Sequence, residues 1–219
     1  MTDIGKIWAN AEKSHRHLIE SSHNVQNNIA LIDQGIEYLS GNISNIVDWG
    51  PGGGFISKHL CAKFAIKKVK FVDIVEDHFD IIKENYGSVC GQLEFVSVKN
   101  GLNDLQLDNI DLLLAFSVIY HFPNLEYADN ILNYWIKIKP KCIWLRNMFT
   151  DSMTWENNDR LDQNYNYLRG VVYNKNDFLD KFKDYNIINC YGKTVANTSA
   201  NNIPKSLEVY SEVLHLELA

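Results

Sequence analysis

The residues that could do chemistry begin at Asp48. In Val47-Asp48-Trp49-Gly50-Pro51-Gly52-Gly53-Gly54-Phe55 a short apolar run meets an acid, then glycines at 50, 52 and 54. Glycine lets a backbone turn sharply and approach a ligand, and a helix that follows aims its first amides there. A strand, a glycine-rich turn and a helix make a nucleotide or nucleotide-like site. The spacing narrows the ligand. A Walker-type phosphate loop ends in G-K-[ST]; here Gly54 is followed by Phe55-Ile56-Ser57. The dinucleotide fingerprint G-x-G-x-x-G fails in both frames, with Phe55 or Ser57 in the third glycine's place. The pattern G-x-G-x-G fits, with Asp48 two residues ahead. Further on stand Asp73, Asn100-Gly101, Phe116-Ser117 and Tyr120-His121. Histidine titrates near neutral pH, so His121 has the chemistry of a general base.

These residues fall at the ends of short apolar stretches. Strands are expected at 45–49, 69–74, 93–98, 110–116 and 142–146, and a closing pair at 187–193 and 208–216. Helices are expected over 55–65, 77–86, 125–137 and 176–185. Two more precede the glycine loop. Residues 3–22 carry Ile4, Ile7, Trp8, Ala11, His15, Leu18 and Ile19 at helical spacing, and 25–39 end near Gly41. Residues 150–170 are polar and aromatic without a period and read as a loop or lid. Alternation of strand and helix predicts a doubly wound α/β sheet, with the last two strands as a hairpin at one edge. The division expected is an N-terminal helical segment at 1–41 and one globular unit at 42–219.

Composition bounds the classes. With 219 residues, 46% of them hydrophobic, the chain can bury a core. Its four cysteines (Cys61, Cys90, Cys142, Cys190) are far apart, which fits a reducing, cytoplasmic setting. No apolar run is long enough to cross a bilayer. A net charge of -6 argues against nucleic-acid partners. No metal-ligand cluster stands out; His15 and His17 would face different sides of a helix.

Asp48-x-Gly50-x-Gly52-x-Gly54 resembles the first motif of class I S-adenosylmethionine (SAM)-dependent methyltransferases, and the likeness continues in order over residues 43–150. It implies a seven-stranded Rossmann-like sheet with a helical cap, SAM as cofactor and S-adenosylhomocysteine as product. It implies cofactor contacts from Asp48, Gly50, Gly52, Gly54, Asp73 (on the ribose hydroxyls), Ile74, Asn100, Gly101, Phe116 and Ser117. Asp111 opens the fourth strand, and Phe116 to Phe122 matches the family's usual ending of it. His121 is the candidate base, a structural role being the competing reading, with Asp151 behind it. His15, Tyr120, Arg146, Asn147 and Trp155 are candidate acceptor contacts. Arg160, Tyr165, Tyr167 and Arg169 would suit a sugar or phosphorylated acceptor. Trp49, Pro51 and Lys99-Asn100 depart from the family pattern. The absence of [DN]-P-P-[YF] after the fourth strand argues against bases and glutamine as acceptors. The expected reaction is O-methylation of a small hydroxylated molecule such as a sugar. The alternatives are N-methylation of a small amine and a non-catalytic module of the same fold.

Overall fold

The computed structural model describes residues 22–39, 42–87, 89, 91–99, 101–102, 105–156, 170–195, 203–204 and 206–219. Residues 3–21 of the expected first helix, with His15, as well as Asn100 and the four lid residues from Arg160 to Arg169, lie outside them.

The sheet grows from its most apolar strand. In β4 (Leu112–Phe116) every residue is buried, as a parallel strand covered on both faces requires. It lies between β1 (Asn45–Trp49) and β5 (Cys142–Thr150), parallel to both. β2 (Lys68–Asp73) and β3 (Gln92–Ser97) continue the parallel array, giving the order β3-β2-β1-β4-β5. Along its other edge β5 pairs antiparallel with β9 (Val209–Leu218), which pairs with β8 (Tyr185–Val195). These seven strands match the expected architecture, with the closing hairpin at the edge. Two short strands are additional. β7 (Val171–Asn174) runs parallel to β5 at Phe149 and Thr150, beyond the end of β4, and β6 (Trp155–Glu156) pairs with β7.

Helices cover both faces. On one lie α1 (Ser22–Gly35), α2 (Phe55–Lys63) and α3 (Asp77–Tyr86), burying Ile32, Leu60, Phe79, Ile82 and Tyr86 against β1, β2 and β4. On the other lie α4 (Leu125–Ile138) and α5 (Lys175–Lys181). In α4 the buried residues are Ala128, Ile131, Leu132 and Trp135, a stripe of helical period. Burying Ile131 and Leu132 stabilises the fold by about 2 kcal/mol each. Asn124 caps this helix by accepting from the Tyr127 amide at 2.7 Å, and left-handed Lys139 before Pro140 ends it.

The edge where the parallel strands begin is fastened by one carboxylate. Asp111 accepts from the amides of Ser44 and Asn45, both at 2.9 Å, and from Lys141 Nζ at 2.7 Å. Burial alone would raise its pKa, but these three donors together hold it below the usual carboxylate range. This acid therefore joins β1, β4 and β5 at the end away from the glycine loop. The opposite edge is left for the candidate site.

Candidate active site

The three glycines of the loop all adopt left-handed backbone, with φ of 63° at Gly50, 54° at Gly52 and 71° at Gly54. At Gly50 the conformation and the space agree: a Cβ would stand 2.7 Å from Val118 Cγ2. At Gly54 a Cβ would press on Tyr86 and Ile82 at 3.0 and 3.1 Å. The loop is otherwise tied down. Gly50 N donates to Val72 O at 2.8 Å, prolonging the ladder, and Asn85 Nδ2 donates to Gly53 O at 3.0 Å. Gly54 is also the N-cap of α2 and offers no side chain to it. The first amides of that helix are left to whatever the loop holds.

Pleating sends Asp48 and Trp49 to opposite faces of β1. Trp49 is 3% exposed and packs edge-on against Trp135 at 5.5 Å. The unusual residue in the motif is thus a core residue. Asp48 is buried beneath the loop, where it accepts from Ser57 Oγ at 2.5 Å. Ser57 in turn accepts from Tyr86 Oη at 2.6 Å. Burial, with the like charge of Asp73 adding to it and the Ser57 hydrogen bond opposing it, raises Asp48 to about 7.

Asp73 ends β2 and is 6% exposed. Its Oδ1 accepts from the Val75 amide at 3.0 Å, and its Oδ2 lies 2.7 Å from His78 Nδ1. Ile74 follows, partly buried against the core. The loops after β2 and β3 are bridged by Lys99 Nζ and Glu76 Oε1 at 2.8 Å. Gly101 turns left-handed there (φ 104°), its amide bonded to Val98 O.

At the end of β4, Phe116 packs edge-on to Trp144. Ser117 takes a φ of 63° while its amide donates to Arg146 O at 2.9 Å. A serine held left-handed carries roughly 1 kcal/mol of strain. It turns the chain into a 3-10 turn, Ile119–His121, which puts His121 half-buried at the same edge as the glycine loop. The His121 ring lies 4.2 Å from that of Tyr120. Tyr120 O accepts from Gly170 N at 2.8 Å, which docks the start of β7 on this turn.

The candidate acceptor residues separate. Tyr120 and Trp155 pack on one small apolar cluster with Met148, Val172, Ile203, Leu207 and Val209. Arg146 and Asn147, successive in β5, point to opposite faces. Arg146 donates from Nε to Ser211 Oγ at 3.0 Å and from Nη1 to Asn28 Oδ1 at 2.7 Å, fastening α1 to β9 through β5. Asn147 is fully buried, and neither amide atom has a hydrogen-bond partner among the described residues. Asp151 accepts from Tyr210 Oη at 2.5 Å, and that bond, with Lys193 nearby, holds it below the usual carboxylate range. A carboxylate held low is a poor base, which leaves His121 as the better candidate.

Four neighbours of the site do not stand out in the motif pattern: Ser57, His78, Tyr86 and Tyr127. The first three fall on the inward stripes of α2 and α3, and a polar residue on an apolar stripe is a readable signal. Tyr127 carries none. Its ring stands edge-on to Phe122, and burial raises its phenol, with the charge of Asp73 adding.

Among the described residues no helix is long and apolar enough to cross a membrane, and no group of three or more His, Cys, Asp or Glu could hold a metal ion. No protein-family model and no curated protein sequence matches the chain. Solved structures do match. A SAM-dependent methyltransferase from Leishmania major superposes with a TM-score of 0.67 at 12% identity, covering 98% of this chain and 81% of that one. Coclaurine N-methyltransferase bound to N-methylheliamine and S-adenosylhomocysteine gives 0.61 at 12% identity, covering 86% and 72%. Magnesium protoporphyrin IX methyltransferase from Synechocystis, with bound SAM, gives 0.56 at 17% identity, covering 90% and 79%. With the strand order and the glycine loop, these likenesses show that the chain has the fold of class I SAM-dependent methyltransferases.

Proposed function

We propose that the protein is a SAM-dependent methyltransferase acting on a small polar acceptor, a hydroxyl of a sugar or similar metabolite. The observation that carries this reading is the loop of three left-handed glycines opening a helix without a side-chain cap, beside the buried carboxylate of Asp73. The loop and Ile74, Asn100, Gly101, Phe116 and Ser117 would line the cofactor, with Asp73 on the ribose and Asp48 acting from beneath. The stretch 1–41, His15 within it, would close over the site. Tyr120 and Trp155 would position the acceptor, and Arg146 would hold α1 in place while they do.

Bound there, SAM would supply an activated sulfonium methyl for transfer to the acceptor oxygen, with S-adenosylhomocysteine as the leaving product. What remains for the protein is alignment, exclusion of water and one proton. His121 would take that proton from the acceptor hydroxyl.

Titration calorimetry tests the cofactor. SAM and S-adenosylhomocysteine are expected to bind at micromolar concentration, NADH not at all, and Asp73→Ala to weaken the first two by about 100-fold, as loss of a bidentate carboxylate implies. Preference for NADH would sink the reading. For catalysis, His121→Ala is expected to lower kcat by roughly 10²- to 10⁴-fold with SAM affinity unchanged. An unchanged kcat would move the acceptor to a small amine.

A further inference from the structure

Asp73, expected on the ribose hydroxyls, forms a buried pair with His78, a residue outside the expected cofactor contacts. Asp73 is the last residue of β2, and His78 is the second residue of α3. Their side chains are 6% and 8% exposed, and 2.7 Å separates Asp73 Oδ2 from His78 Nδ1. A carboxylate only accepts, so Nδ1 is the donor. The Val75 amide donates to the other oxygen at 3.0 Å. Each carboxylate oxygen is thus held by one donor from the protein, and the plane of the group is fixed from both sides. A carboxylate has about four acceptor positions. Each oxygen keeps one further acceptor position, so the group can still accept from two vicinal hydroxyls at once.

We propose that His78 is a positioning residue that holds the Asp73 carboxylate in the orientation needed to grip both ribose hydroxyls. This rests on the reading of the loop as a SAM site. Without the imidazole, Oδ2 loses its fixed donor. The carboxylate then turns about its last bond, held only through Oδ1, and receives one hydroxyl or water in place of two hydroxyls. The prediction is specific to the diol. His78 should govern how strongly the protein distinguishes a ligand with both hydroxyls from one lacking either.

The test is calorimetry with S-adenosylhomocysteine and its 2′-deoxy and 3′-deoxy analogues, on the unsubstituted protein and on His78→Ala, His78→Asn and His78→Gln. An asparagine amide nitrogen falls near the place of Nδ1, whereas that of glutamine falls near Nε2. The unsubstituted protein is expected to lose about tenfold in affinity when either hydroxyl is removed, as a hydrogen bond to a charged group implies. In His78→Ala and His78→Gln the parent ligand binds about tenfold more weakly and the analogues equally with it. His78→Asn retains the discrimination. Equal weakening of all three ligands in His78→Ala, with discrimination intact, would overturn the proposal, as would retention by glutamine and not asparagine. On the unsubstituted protein, imidazole nitrogen NMR must show a proton on Nδ1 of His78; a proton on Nε2 alone overturns it without any substitution. Failure of S-adenosylhomocysteine to bind the unsubstituted protein is a different result and sinks the SAM reading itself.

Discussion

At pH 8 the Asp48→Asn protein will melt at a higher temperature than the unsubstituted chain and bind SAM less tightly. Burial in the folded protein raises Asp48 to about 7, against an ordinary aspartate value of 3.8. Between those values the folded state keeps a proton that the unfolded state has released. Stability therefore falls as pH rises from about 4 to about 7, then levels off. Each pH unit across that interval is worth about 1.4 kcal/mol, so the ionised carboxylate costs on the order of a few kcal/mol at pH 8. Asparagine is never charged, and its oxygen can still accept from Ser57. A net gain of about 2 kcal/mol is expected, or roughly 4–8 °C for a chain of this size. The opposite holds for the ligand. A cation bound beside Asp48 and Asp73 favours ionised Asp48, so SAM affinity in the unsubstituted protein should rise through pH 7, and in Asp48→Asn that rise should be absent. Melting curves and SAM titrations from pH 5 to 8 measure both. Parallel stability profiles for the two proteins would show that Asp48 does not carry the buried charge.

The second large effect is expected at Gly170. A Cβ there would stand 1.9 Å from Phe122 O and 3.2 Å from Pro123 O, while Gly170 N donates to Tyr120 O. The opposing atoms are backbone, which cannot rotate aside. In Gly170→Ala the turn bearing His121 must move. A loss above about 3 kcal/mol is expected, in the range of overpacked or broken contacts. Where the variant folds at reduced temperature, kcat should fall at least tenfold, because the turn that carries His121 is displaced. Gly87→Ala is the comparison: a Cβ would meet nothing within 4 Å, so its cost is backbone strain alone, about 1–3 kcal/mol for a φ of 53° with a ψ of -125°. Chemical denaturation of both variants decides. Equal destabilisation would mean that the contact at Phe122 relaxes freely.

The parts of this fold that sequence reveals are those where one residue type has one use. Gly50, Gly52 and Gly54 need left-handed backbone, and the all-apolar β4 can only be central. Asp77 to Tyr86 is a helix with the bounds expected of it. The far end of β5 is not legible. The strand runs to Thr150 rather than stopping at Arg146, because Asn147 and Thr150 are buried though polar, and the apolar run that announces a strand breaks at them. β7 begins just past the stretch that reads as lid, where no strand is expected. Its four residues are too few for a period, and it exists only because the extended β5 offers it an edge. The helix expected over 176–185 covers Lys175–Lys181, since Tyr185 is drawn into β8 opposite Leu218. At the site, the acids and glycines announce themselves. The residues that orient them, Ser57, Tyr86 and His78, show in the sequence only as polar residues on inward stripes; which acid each one holds depends on how α2 and α3 dock on the strand ends.

The position of β9 sets the order in which the sheet can be completed. Among the described residues β8 pairs with no strand but β9, and β9 joins it to β5. During synthesis the five parallel strands can associate once Thr150 has emerged, but β8 has no ladder to join until residues 209–218 follow it. Until then β5 presents a bare edge nine residues long, a template for other nascent chains. Of the described strands β9 is made last, and it is the one that covers this edge, so the edge stays open to other chains until residues 209–218 have been synthesised.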